Sequence, residues 1–270
     1  MARTRAPAVA GAFYPSDPGE LRTVVETLLG RAVVQQGPAP RALVVPHAGY
    51  IYSGPVAASA YAQLLPHGDT CRRVVLLGPA HHVTLRGMAL PGVDEFTSPL
   101  GPVPLDRTAI AALDQPGVTV DAHAHRLEHS LEVQLPFLQI AIGTFELVPL
   151  VVGLADTGSV ARVIDVLWDL PSTLVVISTD LSHYLGSTEA RARDRKTCRS
   201  IEAMDPAGIG HSDACGAEAL KGLLTAARRR GLTVRTLDLR NSADTAGSRD
   251  RVVGYGAWMF VKEEPCNTST

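Results

Sequence analysis

The chain has 270 residues, 46% of them hydrophobic and 19% charged, with a formal net charge of −2. Burial on that scale excludes a disordered chain, and the near balance of charge gives no electrostatic case for nucleic acid or for an anionic membrane surface. No window approaches 18 consecutive apolar residues, so no transmembrane helix is expected. The N-terminus reads as folded protein and not as a signal peptide.

In chain order, RALVVP (41–46) is strand-like and leads through a Gly/Tyr-rich turn into a helix over 55–65. RRVVLLG (72–78) is the next strand. Residues 84–105, rich in Pro and Gly, suggest short strands and loops, and 106–114 a short helix. Apolar residues at helical spacing run from Glu128 to Ile142, with Pro136 marking a kink or break. FELVPLVVG (145–153) is a buried strand, followed by a helix over 157–169. TLVVIST (173–179) is another strand, leading through DLSHY into a polar helix over 187–203. CGAEALKGLLTAARRR (215–230) is helical, and strands follow near 232–239 and 252–261. The tail KEEPCNTST is polar and expected to fray.

Strands without polar alternation bury both faces. The expectation is therefore an α/β fold: one domain over 1–270, with a mostly parallel central sheet flanked by helices. The four cysteines (Cys71, Cys198, Cys215, Cys266) form no CxxC pair, which points to a reducing, cytoplasmic setting.

Metal-competent residues fall at the ends of the apolar strands: His47 after RALVVP, His81 and His82 after RRVVLLGPA, Asp180 and His183 after TLVVIST. In open α/β sheets the carboxyl ends of strands converge on the ligand crevice. Any one of these histidines alone is more often a hydrogen-bonded structural residue; delivery from three strands to one edge is what favours a site. Imidazole suits zinc, copper and iron. Cys215 precedes Gly216 and an apolar helical run, where a helix dipole favours thiolate, so His47, His81 and Cys215 form the expected ligand set. Glu128 and Glu132, four apart, share a helix face, and His129 and Glu132 are three apart. They could present a carboxylate and an imidazole to a metal or form a solvated first turn; the preferred expectation lies between, that with His82 they orient the ligands through hydrogen bonds. Asp180 and His183 are expected to do acid–base work. His67 and His211 are expected to be solvated, and His123 and His125 could be either ligands or structural.

Together AGAFYP (10–15), PHAGYIYSG (46–54), LGPAHH (77–82), EHSLEVQLPFL (128–138), STDLSHY (178–184) and DACGAEAL (213–220) resemble the Memo-like family. The nearer resemblance is to its bacterial and archaeal branch, AmmeMemoRadiSam system protein B. The resemblance implies a fold like that of the class III extradiol dioxygenases. It also implies a pocket lined by His47, His81 and Cys215 that takes iron or copper, with His183 at the acid–base position of the dioxygenases. Where the dioxygenases use a carboxylate this chain offers Cys215, and a softer ligand shifts preference toward copper(I) or zinc. Three functions follow as expectations: a non-haem redox enzyme acting on oxygen or a small organic substrate; a metal-dependent binding protein whose partner is a peptide or a radical-SAM protein; and a zinc hydrolase with Glu132 as base.

Overall fold

A computed structural model describes residues 2–263. Of the tail KEEPCNTST only Lys262 and Glu263 are among the described residues; the rest, Cys266 included, lies outside them. The strands are β1 (Thr4–Arg5), β2 (Ala42–Val45), β3 (Arg73–Pro79), β4 (Met88–Leu90), β5 (Glu95–Ser98), β6 (Gly101–Pro104), β7 (Val118–Val120), β8 (Glu146–Val152), β9 (Thr173–Ser178), β10 (His183–Leu185), β11 (Thr233–Asn241) and β12 (Val252–Val261). The helices are α1 (Pro18–Arg31), α2 (Tyr50–Tyr61), α3 (Arg107–Ala111), α4 (Ala122–Arg126), α5 (Leu135–Ile142), α6 (Thr157–Trp168), α7 (Ser187–Glu202) and α8 (Ala217–Arg229).

Nine strands form the main sheet in the order β10-β12-β2-β9-β3-β8-β4-β7, with β11 paired to β12. The fold is α/β, a large sheet flanked by helices as expected, but its pairing is mixed. The centre, β2-β9-β3-β8, is parallel. On one side β12 runs antiparallel to β2, and on the other β4 runs antiparallel to β8. The physical reason lies in the connections: helices cross over between the central strands, whereas β11 and β12 are joined by a short irregular segment that allows an antiparallel return. A second, three-stranded sheet, β1-β5-β6, accounts for much of the irregular stretch before residue 105.

Alternate residues of each central strand enter different cores. Leu43, Val45, Val74, Leu76 and Val176 pack with α1, α2 and α5. Ala42, Val44, Val75, Leu77, Val175 and Ile177 pack with α6, α7 and α8 on the opposite face. Every residue from Ala42 to His47 and from Thr173 to Ser182 is buried. That is why these strands read as unbroken apolar runs.

Two boundaries differ from expectation for tertiary reasons. The helix expected to start at Pro55 starts at Tyr50, inside the PHAGY turn. Its first amide is capped from 37 residues upstream, Tyr50 N–H donating to the Phe13 carbonyl (2.8 Å). The stretch from Glu128 to Ile142 breaks up: Glu128–Leu131 is irregular, Glu132–Gln134 is a 3₁₀ turn, and α5 carries Pro136 in its first turn, where no amide partner is lost. Among the described residues no helix is long and apolar enough to cross a membrane.

Candidate metal centre

The three parallel neighbours β2, β9 and β3 end at one edge of the sheet. Two residues past each end stand His47, Asp180 and His81. The loop after α4 brings His129 to the same place. It lies closely over β3 because position 78 is glycine: a Cβ there would meet Ser130 Oγ at 2.7 Å and Leu131 Cδ2 at 2.9 Å.

Among the described residues, one group of three side chains brings its potential ligand atoms within 4.8 Å of one another: His47, His81 and His129. The ring centroids are 5.1 Å apart for His47 and His81, 5.5 Å for His47 and His129, and 4.7 Å for His81 and His129.

Hydrogen bonds fix two of the imidazoles in the ligating tautomer. Ser178 Oγ donates its single proton to the Ser130 carbonyl (2.6 Å) and accepts from Gln134 Nε2 (2.9 Å). It therefore accepts from His47 Nδ1–H as well (2.9 Å), leaving Nε2 as the lone-pair nitrogen of His47, with the Cys215 sulfur 3.4 Å from it. Glu128 Oε1 accepts from His81 Nδ1–H (2.9 Å), which likewise frees His81 Nε2. The same carboxylate takes the His81 and Ser130 amides (2.7 and 2.9 Å) and lies 3.6 Å from His129 Nδ1. Burial works against its charge, but the His81 hydrogen bonds and charge and the amides outweigh it and hold Glu128 ionised, well below the usual carboxylate range. A carboxylate behind an imidazole is the usual way a protein orients a metal ligand and raises its basicity.

Burial, with the neighbouring imidazoles, lowers His47 to about 3 and His129 to about 4. Both rings are thus neutral at pH 7, the form that binds a metal. Three imidazoles in one small space, two of them aimed by hydrogen bonds, are a donor set suited to zinc, copper or iron.

The expected residues fall as follows. His47 and His81 are together. His129, expected to orient the ligands, instead supplies the third imidazole. Cys215 stands beside them, outside the group of three, its Sγ 3.4 Å from His47 Nε2. It precedes the α8 cap Gly216 rather than starting the helix, and it receives the Asp180 amide (3.3 Å). The expected thiolate bias is reversed: burial and the nearby Asp180 carboxylate push the thiol up to about 12, outweighing the helix end.

Asp180 Oδ1 accepts the His47 amide (2.8 Å), and Oδ2 lies 4.0 Å from His47 Nε2; burial raises its carboxyl. His183 donates Nδ1–H to the Leu181 carbonyl (2.8 Å), leaving Nε2 as the lone-pair nitrogen. Glu128 orients His81 as expected. Glu132 does not touch the imidazoles: it accepts from Arg5, Tyr14 and the amides of Ala8 and Val9. With its lone pairs so occupied it has no capacity to act as a general base. His82 is exposed, its ring 6.0 Å from that of His129. His129 was expected beside the ligands, and its adjacency to Glu128 was visible; the loop's path over Gly78, which brings its ring into the group of three, was not.

His125 lies outside the group and is structural, donating Nε2–H to the Ala89 carbonyl (2.7 Å). Burial lowers it from 6.5 to about 4. The unfolded chain therefore binds this proton before the folded one does, so stability falls as the pH drops from 6.5 to about 4. Urea unfolding across that window is expected to show His125→Gln losing less stability than wild type, by about 1–3 kcal/mol.

The fold and this cluster define an α/β protein with a histidine-lined centre at the carboxyl edge of its parallel strands. The Memo-like protein family profile matches residues 5–259, and the chain belongs to that family. A MEMO1 family protein of Methanopyrus kandleri is 37% identical over 280 residues, covering 95% of this chain and 98% of the relative. Similar relatives occur in Aquifex aeolicus (34%, covering 96% and 100%) and Methanosarcina barkeri (35%, covering 94% and 98%). The crystal structure of an uncharacterized Escherichia coli K12 protein aligns at 15% identity with a TM-score of 0.49, covering 79% of this chain and 98% of that one.

Proposed function

We propose that this protein binds one metal ion through His47, His81 and His129, and that the ion is iron or copper serving redox chemistry on oxygen or a small organic substrate. The observation that carries the reading is the pair of tautomers: Ser178 and Glu128 each take an Nδ1 proton and leave Nε2 of His47 and His81 for a ligand bond. A hydrogen-bonded histidine can be structural, as His125 is; what differs here is that two such rings bring their ligand atoms within 4.8 Å of each other and of His129. Three protein ligands leave positions open for water, oxygen or substrate. The metal would supply Lewis acidity or an electron; the chain's own part is to hold His47 and His129 neutral and to move protons. His183 Nε2 is the proton acceptor in this reading, and the Asp180 carboxylate tightens the His47 loop through its backbone amide.

The test is elemental analysis of protein purified without added metal, followed by anaerobic loading with ferrous iron and measurement of oxygen consumption with and without simple catechols. Stoichiometric metal with catechol-dependent oxygen uptake supports the enzyme reading. In that assay His183→Gln is expected to keep its metal and lose roughly 10²–10⁴-fold in turnover. Metal binding without turnover favours the second reading, a metal-dependent binding protein with a peptide or a radical-SAM protein as partner. Tight zinc with no oxygen uptake would favour hydrolysis, though Glu132 is committed elsewhere and the base would have to be another group.

A further inference from the structure

The AGAFYP segment has no place in the ligand set, yet it lies directly against it. Residues 8–14 form a turn in which Gly11 takes a φ of 82° and its amide donates to the Tyr14 carbonyl (2.7 Å). Phe13 projects from that turn onto His129, with ring centroids 4.9 Å apart. The Phe13 carbonyl caps α2 at Tyr50, three residues past His47. Tyr14 donates its hydroxyl proton to Glu132 Oε1 (2.7 Å), and the Ala8 and Val9 amides add bonds to the same carboxylate (2.7 and 2.9 Å). Arg5 spans the loop: Nη1 reaches Glu132 (2.5 Å), Nε the His125 carbonyl (3.0 Å) and Nη2 the Glu128 carbonyl (2.6 Å).

The loop that carries Glu128 and His129 is thus held at both ends by the N-terminal segment, through backbone carbonyls before it and the Glu132 carboxylate after it. A loop without regular hydrogen bonding would otherwise sample many positions, and an imidazole on it would bind an ion only when correctly placed.

We infer that residues 5–14 form a strap that completes the metal centre, with Arg5, Phe13 and Tyr14 as positioning residues that hold His129 at its ligand position. The inference rests on the three-imidazole reading above. It assigns the N-terminal segment a direct effect on metal affinity and on coordination number, beyond its contribution to folding.

Cobalt(II) is the probe, added anaerobically to the metal-free full-length chain, with affinity read by chelator competition and coordination read from the visible ligand-field spectrum. Phe13→Ala and Tyr14→Phe are expected to weaken cobalt binding roughly 10–100-fold, the range typical of lost outer contacts. Their spectra are expected to shift toward that of His129→Ala. Phe13→Tyr, which keeps the ring, is expected to restore wild-type affinity and spectrum. Leu167→Ala, in α6 on the far face of the sheet, is the control: it lowers the unfolding midpoint and leaves cobalt affinity unchanged. If both strap variants bind cobalt within twofold of wild type with an unaltered spectrum, the strap is only structural and the inference is overturned. Wild-type protein that takes up no cobalt overturns the three-imidazole reading itself, and this inference with it.

Discussion

Replacing His81 with alanine is expected to lower metal affinity by roughly 100-fold or more, beyond what loss of an outer contact produces, while leaving the fold intact. His81 is the cleanest of the three candidate ligand positions because its side chain, 28% exposed, is the most open of the three. The Nδ1–H bond to the buried Glu128 carboxylate is lost, while the His81 and Ser130 amides continue to hold that carboxylate, so the metal-free variant should lose about 1–3 kcal/mol and still fold. His47→Ala and His129→Ala should lose metal equally, with His47→Ala also losing stability because its ring is buried and bonded to Ser178. Cys215→Ala is the discriminating variant. Retained stoichiometry assigns the site to three imidazoles; loss of metal, together with loss of a sulfur-to-metal charge-transfer band in the wild-type cobalt spectrum, would return the thiol to the ligand set. Metal content by mass spectrometry and far-ultraviolet circular dichroism on the same samples decide the matter.

Arg5→Met is expected to have the largest effect on folding, about 3–5 kcal/mol. Glu132 is fully buried and Arg5 nearly so, and the pair is the only charge compensation made by a side chain among the described contacts of that carboxylate. Removing the guanidinium strands a carboxylate in the interior and also abandons the His125 and Glu128 carbonyls. The double variant Arg5→Met/Glu132→Gln should recover part of the loss, since the unpaired charge and not the missing contact dominates. Urea unfolding of metal-free protein at neutral pH measures both. A single variant destabilised by less than about 1 kcal/mol would mean that water reaches Glu132.

Much of this arrangement was legible in the chain. The apolar runs 42–45, 73–78 and 173–178 are central strands because residues buried on both faces carry no polar alternation, and the polar residues just beyond them had to gather at one edge. That logic placed His47, His81 and Asp180 together correctly. It set His129 beside the ligands but not within the group of three, because a loop's path depends on what it packs against. Gly78 beneath it and Arg5 more than 120 residues away are neighbours only in the folded state. It misjudged Glu132 for the same reason: on a helix it would face its i−4 neighbour, but the segment is irregular and the side chain turns to the N-terminal strap. It also misjudged the Cys215 thiol, since a helix-end dipole is a local property whereas desolvation and the Asp180 charge are not. The amino-acid order thus determined the layers, the strand ends and two of the three imidazoles, all consequences of local periodicity. Which third imidazole joins the cluster, and that Glu132 turns away from it, was decided only by long-range contacts, because hydrogen bonds between distant segments leave no periodic trace.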